Sequence, residues 1–91
     1  MGLLTVELYI SDAMTLKDKR SVVSSLLERL TNKFNVAAAE VSALDNRRTA
    51  VLAVTTVAND GQHVGKVLEA ARNFILAEPR AVLQDSRIEY L

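Results

Sequence analysis

Residues 4–20, LTVELYISDAMTLKDKR, contain the change of period that decides the fold of this chain. From Leu4 to Ile10 apolar and polar side chains alternate, a pattern typical of a strand with one buried face. Residues 11–14 interrupt the alternation. Thr15 then has Asp18 three positions later, a capping-box pattern with Asp in place of Glu, which predicts the start of a helix. The pattern therefore predicts a strand followed by a helix.

The next segments predict a helix and two further strands. The apolar stripe of the first helix consists of Leu16, Val23, Leu27, Leu30 and Phe34, with Val22 and Leu26 at its margin. Asn35 is expected to end this helix in a left-handed conformation. Residues 36–43 form a short second strand. Residues 49–58 are β-branched or small on both faces, which predicts a central third strand.

The last third of the chain predicts a helix and an edge strand. Residues 59–61, Asn-Asp-Gly, end the third strand and can cap a second helix, which Pro79 stops. Residues 81–90 carry more charge, as edge strands often do. The order β-α-β-β-α-β predicts a single ferredoxin-like α+β domain over residues 1–91. Its four-stranded antiparallel sheet has strand order 4-1-3-2, with both helices on one face.

The composition limits the classes of function. The 91 residues are 49% hydrophobic, enough for one core, and eleven basic residues balance eleven acidic ones. The absence of cysteine excludes disulfides, thiolate metal sites and cysteine nucleophiles. No stretch has the roughly 18–20 apolar residues of a membrane span, and the first residues lack the pattern of a secretory signal. We therefore expect a cytoplasmic protein without a membrane role.

The predicted topology gathers basic residues at one end of the sheet. Loops 11–20, 44–48 and 78–81 should meet there, and their basic residues are Lys17, Lys19, Arg20, Arg47, Arg48 and Arg80. Cations at a helix N-terminus oppose the macrodipole, while the free N–H groups there favour anions. This set predicts an anion site suited to the phosphates of RNA. Four acidic residues lie in the same loops, so the alternative that these charges are merely solvated stays open.

Recognition of RNA bases is not expected. Sheet-type RNA-binding domains stack bases on aromatic side chains of their central strands. Here residues 50–57 contain no aromatic side chain, and the first strand contributes only Tyr9. Contacts to phosphates and to the shape of the RNA are expected instead.

The sheet face away from the helices is expected to be apolar. The third strand presents aliphatic or small side chains on both faces, where polar residues are usual on the open face of an antiparallel sheet. An exposed apolar surface usually marks an interface, so we expect a homodimer through this face, formed by Tyr9, Ala38, Ala53 and Val57. High β propensity at a partly shielded surface would also explain the pattern.

Catalysis has little support in the sequence. His63 is the only histidine, and its expected place is the first turn of the second helix, away from the basic loops. Glu7 and Glu40, if both lie on the open face, would form a carboxylate pair more suited to a partner contact than to acid–base chemistry. No phosphate-binding glycine loop appears. We expect no enzymatic activity, no metal and no cofactor.

Three motifs resemble a known family. Thr15-Leu16-Lys17-Asp18-Lys19-Arg20, Phe34-Asn35-Val36 and Ala39-Glu40-Val41 are similar to motifs of the YlxP-like family of small bacterial proteins of unknown function. The resemblance covers nearly the whole chain and implies a ferredoxin-like fold. Of the basic residues, only Lys17, Lys19 and Arg20 match its basic motif. Genes of this family often lie near genes for translation initiation and ribosome maturation, which implies an RNA- or ribosome-associated role. The family has no assigned catalytic residues.

Two functions stay open at this point. The first is a non-catalytic accessory protein that docks on ribosomal RNA or a ribosomal precursor through the basic loops. The second is a dimeric regulatory module that binds a small ligand or a protein and has no role with nucleic acid. Fold alone does not choose between them.

Overall fold

The computed structural model describes all 91 residues and has the predicted order of elements. These are β1 (Gly2–Tyr9), α1 (Leu16–Lys33), β2 (Ala37–Ser42), β3 (Thr49–Thr56), α2 (Gly61–Leu76) and β4 (Val82–Tyr90). All strand pairs are antiparallel, and the sheet order is β2-β3-β1-β4. The ferredoxin-like prediction is confirmed, since this order is 4-1-3-2 taken from the other edge.

Side-chain caps set the starts of both helices. The Thr15 hydroxyl accepts a hydrogen bond from the Asp18 N–H at 3.1 Å, and the Asp18 carboxylate accepts one from the Thr15 N–H at 3.2 Å. The predicted capping box is thus confirmed. The Asp60 carboxylate accepts a hydrogen bond from the Gln62 N–H at 2.9 Å and caps α2.

The predicted left-handed stop at Asn35 is wrong. The helix α1 ends because Phe34 adopts an extended backbone, with φ −120° and ψ 153°. The Phe34 ring packs edge-on against Phe74, with ring centroids 5.9 Å apart. The only non-glycine residue with a positive φ is Ala43, at 58°.

The core lies between the two helices and one face of the sheet. The sheet contributes Leu4, Val6 and Leu8 from β1 and Ala50, Leu52 and Val54 from β3. The buried residues of the helices are Lys19, Val23, Leu26 and Leu30 on α1 and Val64, Leu68, Ala71 and Ile75 on α2. The buried stripe of α1 is therefore rotated from the predicted one, because it passes through Lys19 rather than Leu16. No helix of this structure combines the length and the apolar composition that crossing a bilayer requires.

Candidate functional site

The β1–α1 loop and the β2–β3 hairpin meet at one end of the sheet, as predicted. The Ile10 N–H donates to the Arg48 carbonyl at 2.7 Å, and Arg48 Nε donates to the Ala13 carbonyl at 3.4 Å. Within the hairpin, the Asn46 side-chain oxygen accepts from the N–H groups of Arg48 at 2.9 Å and Thr49 at 3.0 Å. The hairpin therefore has a defined shape and is held against the start of α1.

Lys19 is withdrawn from the predicted anion site. Its side chain is 0% exposed, and its Nζ donates to Glu40 Oε2 at 2.8 Å. The same ammonium donates to three hairpin carbonyls: Ala43 at 2.8 Å, Leu44 at 3.3 Å and Thr49 at 3.2 Å. An ammonium has three N–H donors, and these four acceptors occupy them. The prediction that Lys19 binds an anion is corrected, because α1 turns this position into the core.

Glu40 lies on the helix side of the sheet. It pairs with Leu52 of β3, a core residue, and its side chain is only 13% exposed. The predicted carboxylate pair of Glu40 with Glu7 on the open face is therefore wrong. Instead the Lys19–Glu40 pair joins α1 to the hairpin. One of the carbonyls bound by Lys19 belongs to Ala43, whose left-handed backbone is costly for a residue with a side chain.

Four basic residues are left at this end of the molecule, and we call them the basic corner: Lys17, Arg20, Arg47 and Arg48. The first three are exposed and Arg48 is half-buried. Lys17 and Arg20 flank Lys19 on α1, while Arg47 lies in the hairpin that Lys19 binds. The carboxylate of Asp18, in the same turn of α1, already accepts from the N–H groups of Met14 and Thr15.

The structure does not bring Arg80 to the start of α1. Its Nη2 donates to Ser25 Oγ at 3.3 Å, in the middle of α1. Successive helical residues are rotated by about 100°, so Ser25 lies about 140° around α1 from Arg20. Arg80 is therefore on a different flank from the basic corner, because the turn after α2 packs against the middle of the helix rather than its beginning.

Arg80 belongs to an ion cluster around Glu78. The Glu78 side chain is 2% exposed, and its Oε1 accepts from Arg80 Nη2 at 2.7 Å and from Arg29 Nη2 at 2.5 Å. The Arg29 guanidinium also lies 5.6 Å from the centroid of the Phe74 ring. The hydrogen bond from Arg80 is the main cause that lowers the pKa of Glu78 from 4.5 to about 2; burial opposes this effect and Arg29 adds to it. The same bond raises the pKa of Arg80.

The Glu78 cluster predicts an acid-sensitive part of the stability. A carboxyl whose pKa is lower in the folded chain stabilises the fold above about pH 4.5, and this contribution is lost as the pH falls towards 2. Because both arginines are 44% exposed and therefore screened by water, we expect Glu78→Gln to cost about 1–2 kcal/mol at pH 7. The variant should also lose the part of the pH dependence that lies between pH 4.5 and 2. Urea unfolding at a series of pH values measures both effects, with exposed Glu28→Gln as control; equal pH slopes for wild type and Glu78→Gln would contradict the assignment.

The second candidate surface is the sheet face away from the helices, which we call the outer face. Tyr9 and Ala53 lie on it as predicted, on odd-numbered positions opposite the buried alternation. Val57 follows the end of β3 and is 70% exposed. Ala38 does not lie on it, because Ala38 pairs with buried Val54 and packs against the core. Of the predicted interface residues, Ala38 is therefore misplaced.

The outer positions of β2 are taken by the neighbours of Ala38. Ala37 pairs with Thr55 and Ala39 with Ala53. Together with Leu3 these small side chains line a shallow hollow of about 210 Å³. The part of the outer face around this hollow therefore has short, mostly apolar side chains.

His63, the single histidine, is exposed in the first turn of α2. Gly61 begins that helix after β3, at the end of the sheet opposite the basic corner. No three histidine, cysteine, aspartate or glutamate side chains are grouped so that they could hold a metal ion.

Known proteins match this chain over nearly its whole length. A family model described as "Protein of unknown function (DUF503)" matches residues 1–88. The uncharacterized protein YlxP of Bacillus subtilis (strain 168) is 30% identical over 90 residues, covering 99% of this chain and 98% of that protein. The structured domain of Drosophila melanogaster Boca matches with a TM-score of 0.64 at 13% identity, covering 100% of this chain and 99% of that chain. At this identity the likeness to Boca shows the fold alone.

Proposed function

This chain belongs to the DUF503 family of proteins of unknown function and is similar to an uncharacterized YlxP protein, and we propose that it is a non-catalytic accessory protein that docks on RNA. The proposed partner is ribosomal RNA or a ribosomal precursor. The observation that carries the proposal is the attachment of the β2–β3 hairpin to the start of α1 through Arg48 and Lys19. This attachment leaves Lys17, Arg20 and Arg47 exposed on two adjoining elements.

The electrostatics of the basic corner suit phosphate groups. The carboxylate of Asp18 accepts from two backbone N–H groups and forms no ion pair with Lys17 or Arg20. Guanidinium and ammonium groups supply the multiple donors that phosphate oxygens accept. Since the net charge of the chain is zero, attraction to RNA must come from the four cations of the basic corner, which outnumber Asp12, Asp18 and Asp45 of the same loops by one. Binding of this kind neutralises phosphates and does not select a base sequence.

The non-catalytic part of the proposal is supported by the position of His63. It is exposed on α2, away from the basic corner, and it lines none of the five hollows of the surface. The buried ionic groups, Lys19 with Glu40 and Glu78 with its arginines, are occupied in joining elements of the fold.

Binding to ribosomal particles tests the proposal. Replacing Lys17, Arg20 and Arg47 together by alanine would remove three phosphate contacts. The plot of log K against log salt, which has a negative slope, should therefore become less steep by about 2–3. At about 0.1 M salt we expect the affinity to fall by at least about tenfold. Co-sedimentation with purified ribosomal subunits and filter binding of ribosomal RNA fragments, each at several salt concentrations, measure these quantities.

A matched control uses basic residues outside the corner. Lys33→Ala/Lys66→Ala removes two exposed cations and should leave both the affinity and the salt slope unchanged. Unaltered binding by the triple variant would refute the basic corner as the site. Absence of any salt-sensitive binding to ribosomal particles or RNA would contradict the proposed function itself.

A second candidate is a dimeric module that binds a ligand or a protein and has no role with nucleic acid. The β2–β3 side of the outer face favours it, since Ala39, Val51 and Ala53 expose aliphatic surface there. The β1–β4 side carries Glu7, Asp85 and Arg87, so the expectation of a wholly apolar outer face is corrected. Sedimentation equilibrium tests self-association, and a monomer at all accessible concentrations would contradict it. A dimer that retains no RNA would favour this candidate over the first.

A further inference from the structure

We propose that two copies of this chain pair through their outer faces about a two-fold axis running across the strands, with Arg87 of each copy against Glu7 and Asp85 of the other. This inference rests on the self-association put forward as the second candidate above, and it adds the geometry and the charged contacts of that pairing. It does not depend on RNA binding, because the basic corner lies at the end of the sheet and not on its outer face.

The outer face carries two carboxylates that lack a basic partner in their own chain. Glu7 of β1 lies directly opposite Asp85 of β4. Side chains at such positions are about 4.5–5.5 Å apart at Cβ, and like charges there destabilise the pair. None of the five ion pairs of the chain includes either residue. The Asp85 carboxylate accepts only from the N–H of its neighbour Ser86, at 2.9 Å.

A basic side chain lies on the same face, one pair of residues away. Arg87 is opposite Thr5, and it donates through Nε to Glu89 at 3.1 Å. This pair is exposed, with 71% of the Arg87 side chain accessible, so it contributes little and can be exchanged at low cost. Thr5, Glu7, Asp85 and Arg87 line a small hollow of about 130 Å³ together with Val51.

The register lets Arg87 of one copy meet Glu7 and Asp85 of the other, in exchange for its own exposed partner Glu89. The pairs Glu7–Asp85 and Thr5–Arg87 are separated by the single pair Val6–Ser86. A two-fold axis across the strands at this pair exchanges the two positions, so each arginine faces the carboxylates of the second copy. An axis parallel to the strands would instead set β4 against β2, which exposes no charged residue, and would leave the carboxylates without a partner.

The shape of the outer face agrees with the same axis. On β3 the operation brings Val51 of one copy over Ala53 of the other, and on β1 it brings Tyr9 over Leu3. Val51 and Tyr9 of one copy therefore lie over Ala53 and Leu3, two residues that line the shallow hollow of the other copy. Interdigitation of this kind is how packed sheet faces exclude water.

The expected dimer is of modest strength. Four strands at about 4.8 Å spacing and about 27 Å length offer roughly 500 Å² per copy, or about 1,000 Å² in all. That area is at the lower limit of specific interfaces. We therefore expect a concentration-dependent equilibrium rather than a permanent dimer.

Charge exchange tests the geometry. Arg87→Glu alone, and Glu7→Arg/Asp85→Arg alone, should each raise the dissociation constant of the homodimer at least tenfold. A 1:1 mixture of these two variants should form a heterodimer, and the three substitutions in one chain should restore the homodimer. Sedimentation equilibrium gives the constants, and native mass spectrometry identifies the mixed species. Lys66→Glu, on the exposed side of α2, is the control and should dimerise like the wild type.

Each outcome bears on a different claim. If the wild type dimerises and both charge variants have the same dissociation constant as the wild type, this geometry is wrong, but self-association is still supported. A wild-type chain that stays monomeric at about 1 mM would overturn both. Circular dichroism checks that the variants are folded; should one unfold, Arg87→Gln and Glu7→Gln/Asp85→Asn remove the charges without reversing them, and each should weaken the dimer.

Discussion

Replacing Glu40 by alanine is expected to lower the free energy of unfolding by about 3–5 kcal/mol. The substitution leaves the Lys19 ammonium fully buried without a counter-charge, held only by carbonyl oxygens of the hairpin. An ion that loses its partner inside a protein keeps its desolvation cost and loses the attraction that offset it. Urea unfolding followed by circular dichroism measures the change.

Two further variants separate the ion pair from its surroundings. Glu69→Ala breaks the exposed pair with Arg72 and should cost less than about 1 kcal/mol. Lys19→Met/Glu40→Leu removes both charges and should recover part of the loss, but not all, because the Ala43, Leu44 and Thr49 carbonyls lose their donor. Equal costs for Glu40→Ala and Glu69→Ala would show that the Lys19 pair is not desolvated.

The same pair links stability to the proposed function. Lys19 binds the carbonyls of Ala43 and Leu44, and the exposed Arg47 follows three residues after Leu44. The buried lysine therefore positions the basic corner without being able to contact RNA. Alanine at Lys17 or Arg20 removes a surface charge, whereas a change at Lys19 disturbs the contact between α1 and the hairpin that positions the basic corner.

The second large effect is expected at Gly2, where alanine should destabilise the fold by about 1–3 kcal/mol. A Cβ at Gly2 would lie 2.5 Å from Val64 Cγ1 and 2.7 Å from Leu68 Cδ1. Both side chains are buried between α2 and the sheet, so neither can move without disturbing the core. Chemical denaturation measures the loss.

Gly65→Ala provides a matched comparison with the opposite sign. A Cβ there would lie 2.7 Å from the Tyr90 hydroxyl, but Tyr90 is 63% exposed and its ring can swing away. Since glycine inside a helix costs about 0.5–1 kcal/mol relative to alanine, we expect a gain of that order. A loss at Gly65 equal to the loss at Gly2 would mean that Tyr90 is held in place as firmly as the core.

Much of the fold could be predicted because its signals are local. The alternation in β1 and the capping box at Thr15 each involve residues within a few positions of one another, and both appear where they were expected. The charged edge strand β4 and the central β3 also follow from their own composition. The burial of Lys19 also has a signal in the sequence, because Lys19 precedes Val23 by four residues and Leu26 by seven, which is the spacing of the buried stripe.

The faces of β2 could not be predicted for a different reason. Residues 37–39 are three consecutive alanines, so no alternation distinguishes the inner from the outer positions. A shift of one residue in register moves every side chain to the other face. Only the pairing with β3 places Ala38 inside and Ala37 and Ala39 outside.

The amino-acid sequence by itself determined the order of the elements, their approximate bounds and the caps of both helices, because periods of two and of 3.6 residues are properties of short segments. The tertiary structure alone decided which acceptors surround Lys19, that Arg80 joins Glu78 rather than the basic corner, and that Glu7 faces Asp85. These outcomes depend on strand register and on packing between segments far apart in the chain, and no local pattern encodes either.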